Sequence, residues 1–127
     1  FTPDKDYLVR KITVAVSQVD GTPGATVSLN SDAGGVPGKS LYKARVSDLP
    51  IFGGCCVTAT ITAKPGVPVM ANKPYWVVVH TDRATRNTFA VWNFNNIGAT
   101  GTVAFEGGEG WYVVNGEMSG AFSVMGW

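Results

Sequence analysis

Cys55 and Cys56 are the chain's only cysteines, and they are adjacent. A zinc site needs about four ligands, and His80 is the only histidine, so the pair cannot build one. A thioredoxin-like redox pair keeps two residues between its cysteines ahead of a helix, which is not the pattern here. Three readings are open: a disulfide between the neighbours, two reduced and half-buried thiols packing as small apolar residues, or bonds to other chains. We take the disulfide Cys55–Cys56 as the expectation. Gly53 and Gly54 immediately before it supply the backbone freedom that a strained turn requires. An exported protein can keep such a bond oxidised, whereas the cytosol would reduce it.

The other residue types that do chemistry are sparse. Asp82 lies two residues after His80, on the same face of a strand. No serine sits in a Gly-x-Ser-x-Gly elbow. A single histidine at the end of an apolar strand reads as a rim residue, so no catalytic residue is assigned and the chain is expected not to be an enzyme. Glu106, Glu109 and Glu117 flank Gly-rich turns and read as solvated turn residues rather than as the carboxylate pair of a glycosidase. Asp32, in Ser31-Asp32-Ala33-Gly34-Gly35, is the one candidate calcium ligand. The stretch lacks the alternating acids of a calcium loop, and the plainer reading is an Asx-turn in which Asp32 bonds its own turn backbone. No cofactor is implied.

The aromatic residues are the most suggestive set. Trp92, Asn93 and Asn95, with Trp111 and Tyr112, could form a sugar platform, with rings stacking on pyranose faces and amides bonding hydroxyls. The competing reading is that each ring is core, since an aromatic side chain buries a large area. Alternation along Trp111-Tyr112 sends one ring inward and the other outward.

The elements that must position these residues read as strands. The 127 residues suit one domain, 1–127, long enough to bury a core without staples. Charged residues are 15% of the chain, against about 25% in an ordinary soluble domain, and glycine and β-branched residues take their place. Strand-like runs recur about every ten residues between Gly, Pro, Asn and Asp, which is the pattern of an all-β sandwich. They cover residues 8–16, 25–30, 41–46, 57–63, 67–70, 75–80, 89–94, 102–105, 111–114 and 121–125. The expected fold is an antiparallel β-sandwich, jelly-roll-like, of about nine to ten short strands.

Several runs carry finer expectations. Leu8, Ile12, Val14 and Val16 should share one face. Val57, Ala59, Ile61 and Ala63 should face the core, with Thr58, Thr60 and Thr62 outward. Residues 67–70, with Pro68, should lie at an edge or bulge. Residues 75–80, Tyr-Trp-Val-Val-Val-His, read as a central strand covered on both sides. Residues 31–39 read as a long turn-rich loop, residues 81–88 have room for one helical turn, and Asn115-Gly116 reads as a two-residue hairpin turn.

The formal net charge of +1, with no basic run, argues against a dedicated nucleic-acid binder. No apolar run reaches the length of a membrane span, so no direct membrane insertion is expected of this segment. The start at Phe1-Thr2-Pro3, without Met, reads as that of a mature or excised segment.

Five segments taken together, LNSDAGGVPGKSL, FGGCCVTAT, VPVMANKPYWVVV, AVWNFNNIGATGTVAF and GAFSVMG, resemble the choice-of-anchor R domain family of bacterial surface proteins. The resemblance covers nearly the whole chain and rests on the order and spacing of these motifs. It implies an exported, extracellular or cell-surface β-sandwich, attached to the envelope by anchors that vary between members, and it carries over no catalytic residues. The function expected is that of a non-enzymatic structural or adhesive surface module. The alternatives are a carbohydrate-binding module and a subunit of an extracellular filament assembled by strand addition. Its partners would be other surface proteins, copies of itself, or glycans.

Overall fold

A computed structural model describes residues 1–54, 57–82 and 87–127. The described chain is all-β and forms ten strands: β1 (Tyr7–Val14), β2 (Val16–Asp20), β3 (Ala25–Asp32), β4 (Pro37–Val46), β5 (Ala59–Val69), β6 (Tyr75–Thr81), β7 (Phe89–Trp92), β8 (Thr100–Gly107), β9 (Gly110–Met118) and β10 (Phe122–Gly126). Three-stranded sheets run β10-β1-β5 and β4-β3-β6, and two-stranded ribbons run β2-β7 and β8-β9. Pairing is antiparallel within each, and no sheet closes into a barrel. The sandwich expected from the strand spacing is therefore present. β1 and β2 lie in different sheets, as do β4 and β5, so the chain crosses between layers.

Alternation builds the core. Val9, Ile12 and Val14 of β1, Val27 and Leu29 of β3, and Ile61 and Val69 of β5 form one buried cluster with Tyr75. β4 reaches the other sheet directly, since the Tyr42 hydroxyl donates to the Thr62 carbonyl at 2.9 Å.

β1 departs from simple period two. Val9 faces Gly126 and Lys11 faces Met125, so Arg10 is an extra residue opposite β10. The bulge shifts the parity, and Val9 rather than Leu8 joins Ile12, Val14 and Val16 inside. The same run does not continue as one strand. It breaks at Ala15, whose N–H donates to Ala121 at 3.0 Å and whose carbonyl accepts from Asn93, and β2 passes to a different partner.

β5 agrees with its pattern from Ala59 onward: Ile61 and Ala63 are buried, and Thr58, Thr60 and Thr62 are exposed. Val57 does not follow. It precedes the strand and is 61% exposed. β5 continues through Pro65 and Pro68 to Val69, with a cis Lys64–Pro65 bond. The prolines are tolerated there because, among the described strands, β5 is hydrogen-bonded to β1 alone and lies at a sheet edge.

The strand covered on both faces is β3, not β6. Ala25, Val27 and Leu29 face the core, while Ser28 and Asn30 are buried on the opposite face. These polar residues are satisfied: Ser28 donates to Asn30 Oδ1, and Asn30 Nδ2 donates to the Gly38 carbonyl, each at 2.8 Å. β6 lies at the edge, hydrogen-bonded to β3 alone among the strands. Its apolar run made it look central, because each face has something to pack on.

Two loop expectations change as well. Residues 31–39 are mostly strand, with a short turn closed by the Ala33 N–H to Val36 carbonyl bond at 2.9 Å. Asn115-Gly116 is not a hairpin turn but a bulge inside β9: Val103 pairs with Val114 and Gly101 with Glu117. Gly116 supplies φ +75 there, and the Thr102 hydroxyl donates to Asn115 Oδ1 at 2.9 Å. The hairpin turn lies instead between β8 and β9, where Gly107 pairs with Gly110. The expected helical turn within residues 81–88 falls largely on 83–86, which lie outside the described residues, as do Cys55 and Cys56.

Candidate functional site

An open groove of about 490 Å³ runs beside β6. One wall is β6 itself, and the other comes from β8, with Phe94, Trp111 and Phe122. All seven residues of β6 line the groove, and so do the successive residues Thr102, Val103, Ala104, Phe105 and Glu106 of β8. Alternate residues would line a groove that met a strand face-on, so successive residues mean that it meets both strands edge-on.

Three interactions fix the β6 wall. Trp76 Nε1 donates to Asp32 Oδ1 at 2.8 Å. The Phe1 ammonium donates to the Tyr75 carbonyl at 2.7 Å, and the Tyr75 N–H returns a bond to the Phe1 carbonyl at 2.8 Å. His80 Nδ1 lies 3.4 Å from Glu106 Oε2, and its ring is 6.1 Å from that of Trp111. Burial of the Phe1 amine lowers its pKa.

The residues singled out from sequence are only partly brought together. Trp92 and Trp111 both line the groove and are half-buried. Trp92 is held by its Nε1 donating to the Ala121 carbonyl at 3.0 Å and by an edge-on contact with Phe122 at 6.3 Å. Tyr112 lies outside the groove, 55% exposed and stacked on Phe105 at 5.3 Å. The opposite senses expected for Trp111 and Tyr112 are therefore observed.

The amide nitrogens of Asn93 and Asn95 are taken up inside the protein. Asn93 Nδ2 donates to the Ala15 carbonyl at 3.0 Å and to the Ser17 hydroxyl at 2.7 Å. Asn95 Nδ2 donates to the carbonyls of Ala99 and Ser119 at 2.8 and 2.9 Å, and its Oδ1 accepts from the Ile97 and Ala99 N–H groups. Both side chains staple loops.

Asp32 spends its oxygens in the same way. Oδ1 accepts from Trp76, and Oδ2 accepts from the Gly35 N–H at 2.9 Å, which is the turn-bonding role weighed against calcium. Those donors, Trp76 first, hold its carboxyl below the usual range. His80 and Asp82 share a face but not partners. Asp82 accepts from the Gly24 N–H and from Arg45, and these lower its pKa, the Gly24 bond most. Among the described residues, no group of three or more His, Cys, Asp or Glu is placed to hold a metal ion, and no helix is long and apolar enough to cross a membrane.

Sequence reasoning missed Phe1 and the edge of β6. Their role depends on which strand pairs with which, and no local pattern encodes that.

No protein-family model, curated protein or solved structure matches this chain.

Proposed function

We propose that the chain is a non-enzymatic structural or adhesive module of an extracellular or bacterial cell surface, acting by contact with other surface proteins or with copies of itself. The observation that carries this reading is the edge of β6 beyond Tyr75, which no described strand pairs with, set in a groove with aromatic walls. An open strand edge beside apolar surface is a template for association. More apolar surface is open near it: Phe94 is 69% exposed, and Phe105, Met118 and Phe122 are also exposed. The family resemblance supports an exported setting, and the low charge content fits surfaces that pack into an assembly. Electron microscopy and sedimentation of native material test the reading. The expected result is protein in surface-attached or higher-order assemblies. A freely soluble, monomeric intracellular protein would sink it.

A second reading, carbohydrate binding, is favoured by one feature: the Trp111 ring lies half-buried in the groove beside the His80–Glu106 pair. A stacking ring next to polar groups suits a sugar, although Asn93 and Asn95 are already committed internally. A glycan array decides between the two. Binding that is lost on Trp111→Ala favours the sugar reading, and an array without binding leaves the protein-contact reading.

A further inference from the structure

The Phe1–Tyr75 pair defines the geometry of the β6 edge. Two residues that exchange both N–H···O bonds form the hydrogen-bonded pair of an antiparallel ladder, and Phe1 and Tyr75 do so. Tyr75 therefore points its backbone groups away from β3. On the β3 side, the Asp82 N–H donates to the Gly24 carbonyl at 3.0 Å. Odd-numbered and even-numbered residues thus address opposite edges, and the N–H and C=O groups of Val77 and Val79 point into the groove. No described strand pairs with them there. β8 faces the groove from the far side and is paired with β9 alone.

We propose that the groove is a slot for one β-strand of another polypeptide, which adds antiparallel to β6 in line with Phe1. This rests on the protein-contact reading above and gives it a direction and a register. The incoming strand starts toward Thr81, runs antiparallel to β6, and bonds Val79 and then Val77. The residues of β6 beyond Tyr75 give a ladder roughly 20 Å long. The groove, of about 490 Å³, has room for a short stretch of strand with its side chains. Among the described residues, Glu106 and His80 are the only acidic or basic side chains in the lining, beside the Phe1 amine that is already bonded to Tyr75, so the strand that fits is apolar and carries little charge. Backbone bonds would supply much of the affinity, and the aromatic walls would select the side chains.

Amide hydrogen exchange of the intact chain tests this. The probe is an acetylated peptide of about seven alternating valines and threonines, matched to the length of the edge. The control is the same peptide N-methylated at alternate residues. Alone, the Val77 and Val79 amides should exchange at least about tenfold faster than those of Trp76 and Val78, which bond β3. With the peptide at millimolar concentration they should slow at least about tenfold, and the N-methylated peptide should leave them fast. Slow exchange at Val77 and Val79 before any peptide is added would show the edge to be closed already and overturn the proposal. So would equal protection by the N-methylated peptide, or no protection by either. Protection only when extra residues are appended ahead of Phe1 would overturn the intermolecular source. Cellular location does not enter this readout, so failure of the surface reading and failure of the slot are distinguishable.

Discussion

The indole N–H of Trp76 donates to Oδ1 of Asp32 across 2.8 Å and so ties the β3–β4 turn to the start of β6. Gly35 donates to the other oxygen, so one carboxylate joins a turn and an edge strand. These donors favour the ionised form, and the folded pKa lies below the ordinary value of 3.8. A carboxyl with a depressed folded pKa adds stability that is present above its unfolded value and lost as the pH falls through the folded one. We expect the melting temperature to fall on acidification below about pH 3.8, and the fall to be shallower in Asp32→Asn. Asp82 is depressed in the same sense, so the difference between wild type and variant isolates Asp32. Identical acid limbs would refute the assignment. Added calcium should leave the melting temperature of the wild type unchanged.

Asn95 makes a separate prediction. Its side chain bonds two carbonyls and two N–H groups, and so joins residues 97–99 to Ser119. Asn95→Ala removes these side-chain bonds, while the Ala99 and Ser119 carbonyls keep the Ser119 and Asn95 N–H donors. The expected loss is about 0.5–1.5 kcal/mol in urea unfolding. Asn95→Asp should also destabilise, because an oxygen replaces the amide nitrogen that faces the Ala99 and Ser119 carbonyls. A neutral Asn95→Ala would return the amide to the list of groups free to meet a ligand.

Gly120 is needed for a different reason. A Cβ there would lie 2.6 Å from the Trp92 indole, and that ring is pinned by its bond to the Ala121 carbonyl. Gly120→Ala should therefore cost about 1–3 kcal/mol by overpacking and shift the tryptophan emission, since Trp92 must move. Unchanged stability and emission would mean that the ring has room to retreat into the groove.

What could be read from the sequence follows from what each pattern depends on. The alternation over residues 59–63 survives because β5 is regular there, and Ile61 and Ala63 are buried as expected. Leu8 and Val9 exchange roles because Arg10 bulges against β10, and a bulge resets parity with no residue to announce it. Asn115-Gly116 has the composition of a turn. A bulge also needs a glycine at positive φ, so composition alone does not separate the two. At the groove, Trp92 and Trp111 were legible as rings with something to meet. Asn93 and Asn95 were not legible as staples, because their partners, Ala15 and Ser119, are distant in sequence. The β6 edge was hidden for the same reason. Three successive valines say buried, and only the pairing of β6 with β3 says which side is open.

The last prediction concerns Cys55 and Cys56. The residues before them make a tight turn: the Gly54 N–H donates to the Ile51 carbonyl at 2.9 Å, and Gly53 has φ +83. Beyond them the chain reaches β5 at Ala59. A bond between adjacent cysteines encloses one peptide unit, so it removes little chain entropy from the unfolded state, and its effect on global stability should be far smaller than that of a long-loop disulfide. Its effect would be local: it would fix the direction in which the chain leaves the turn and resist proteolysis there. We expect protein from an oxidising compartment to take up no alkylating agent in intact-mass analysis without reductant, and two equivalents after reduction. Limited proteolysis near residue 55 should speed up on reduction, while the urea midpoint moves little. Two labelled thiols before reduction, or a covalent dimer on a non-reducing gel, would show that the cysteines are free or that they join separate chains.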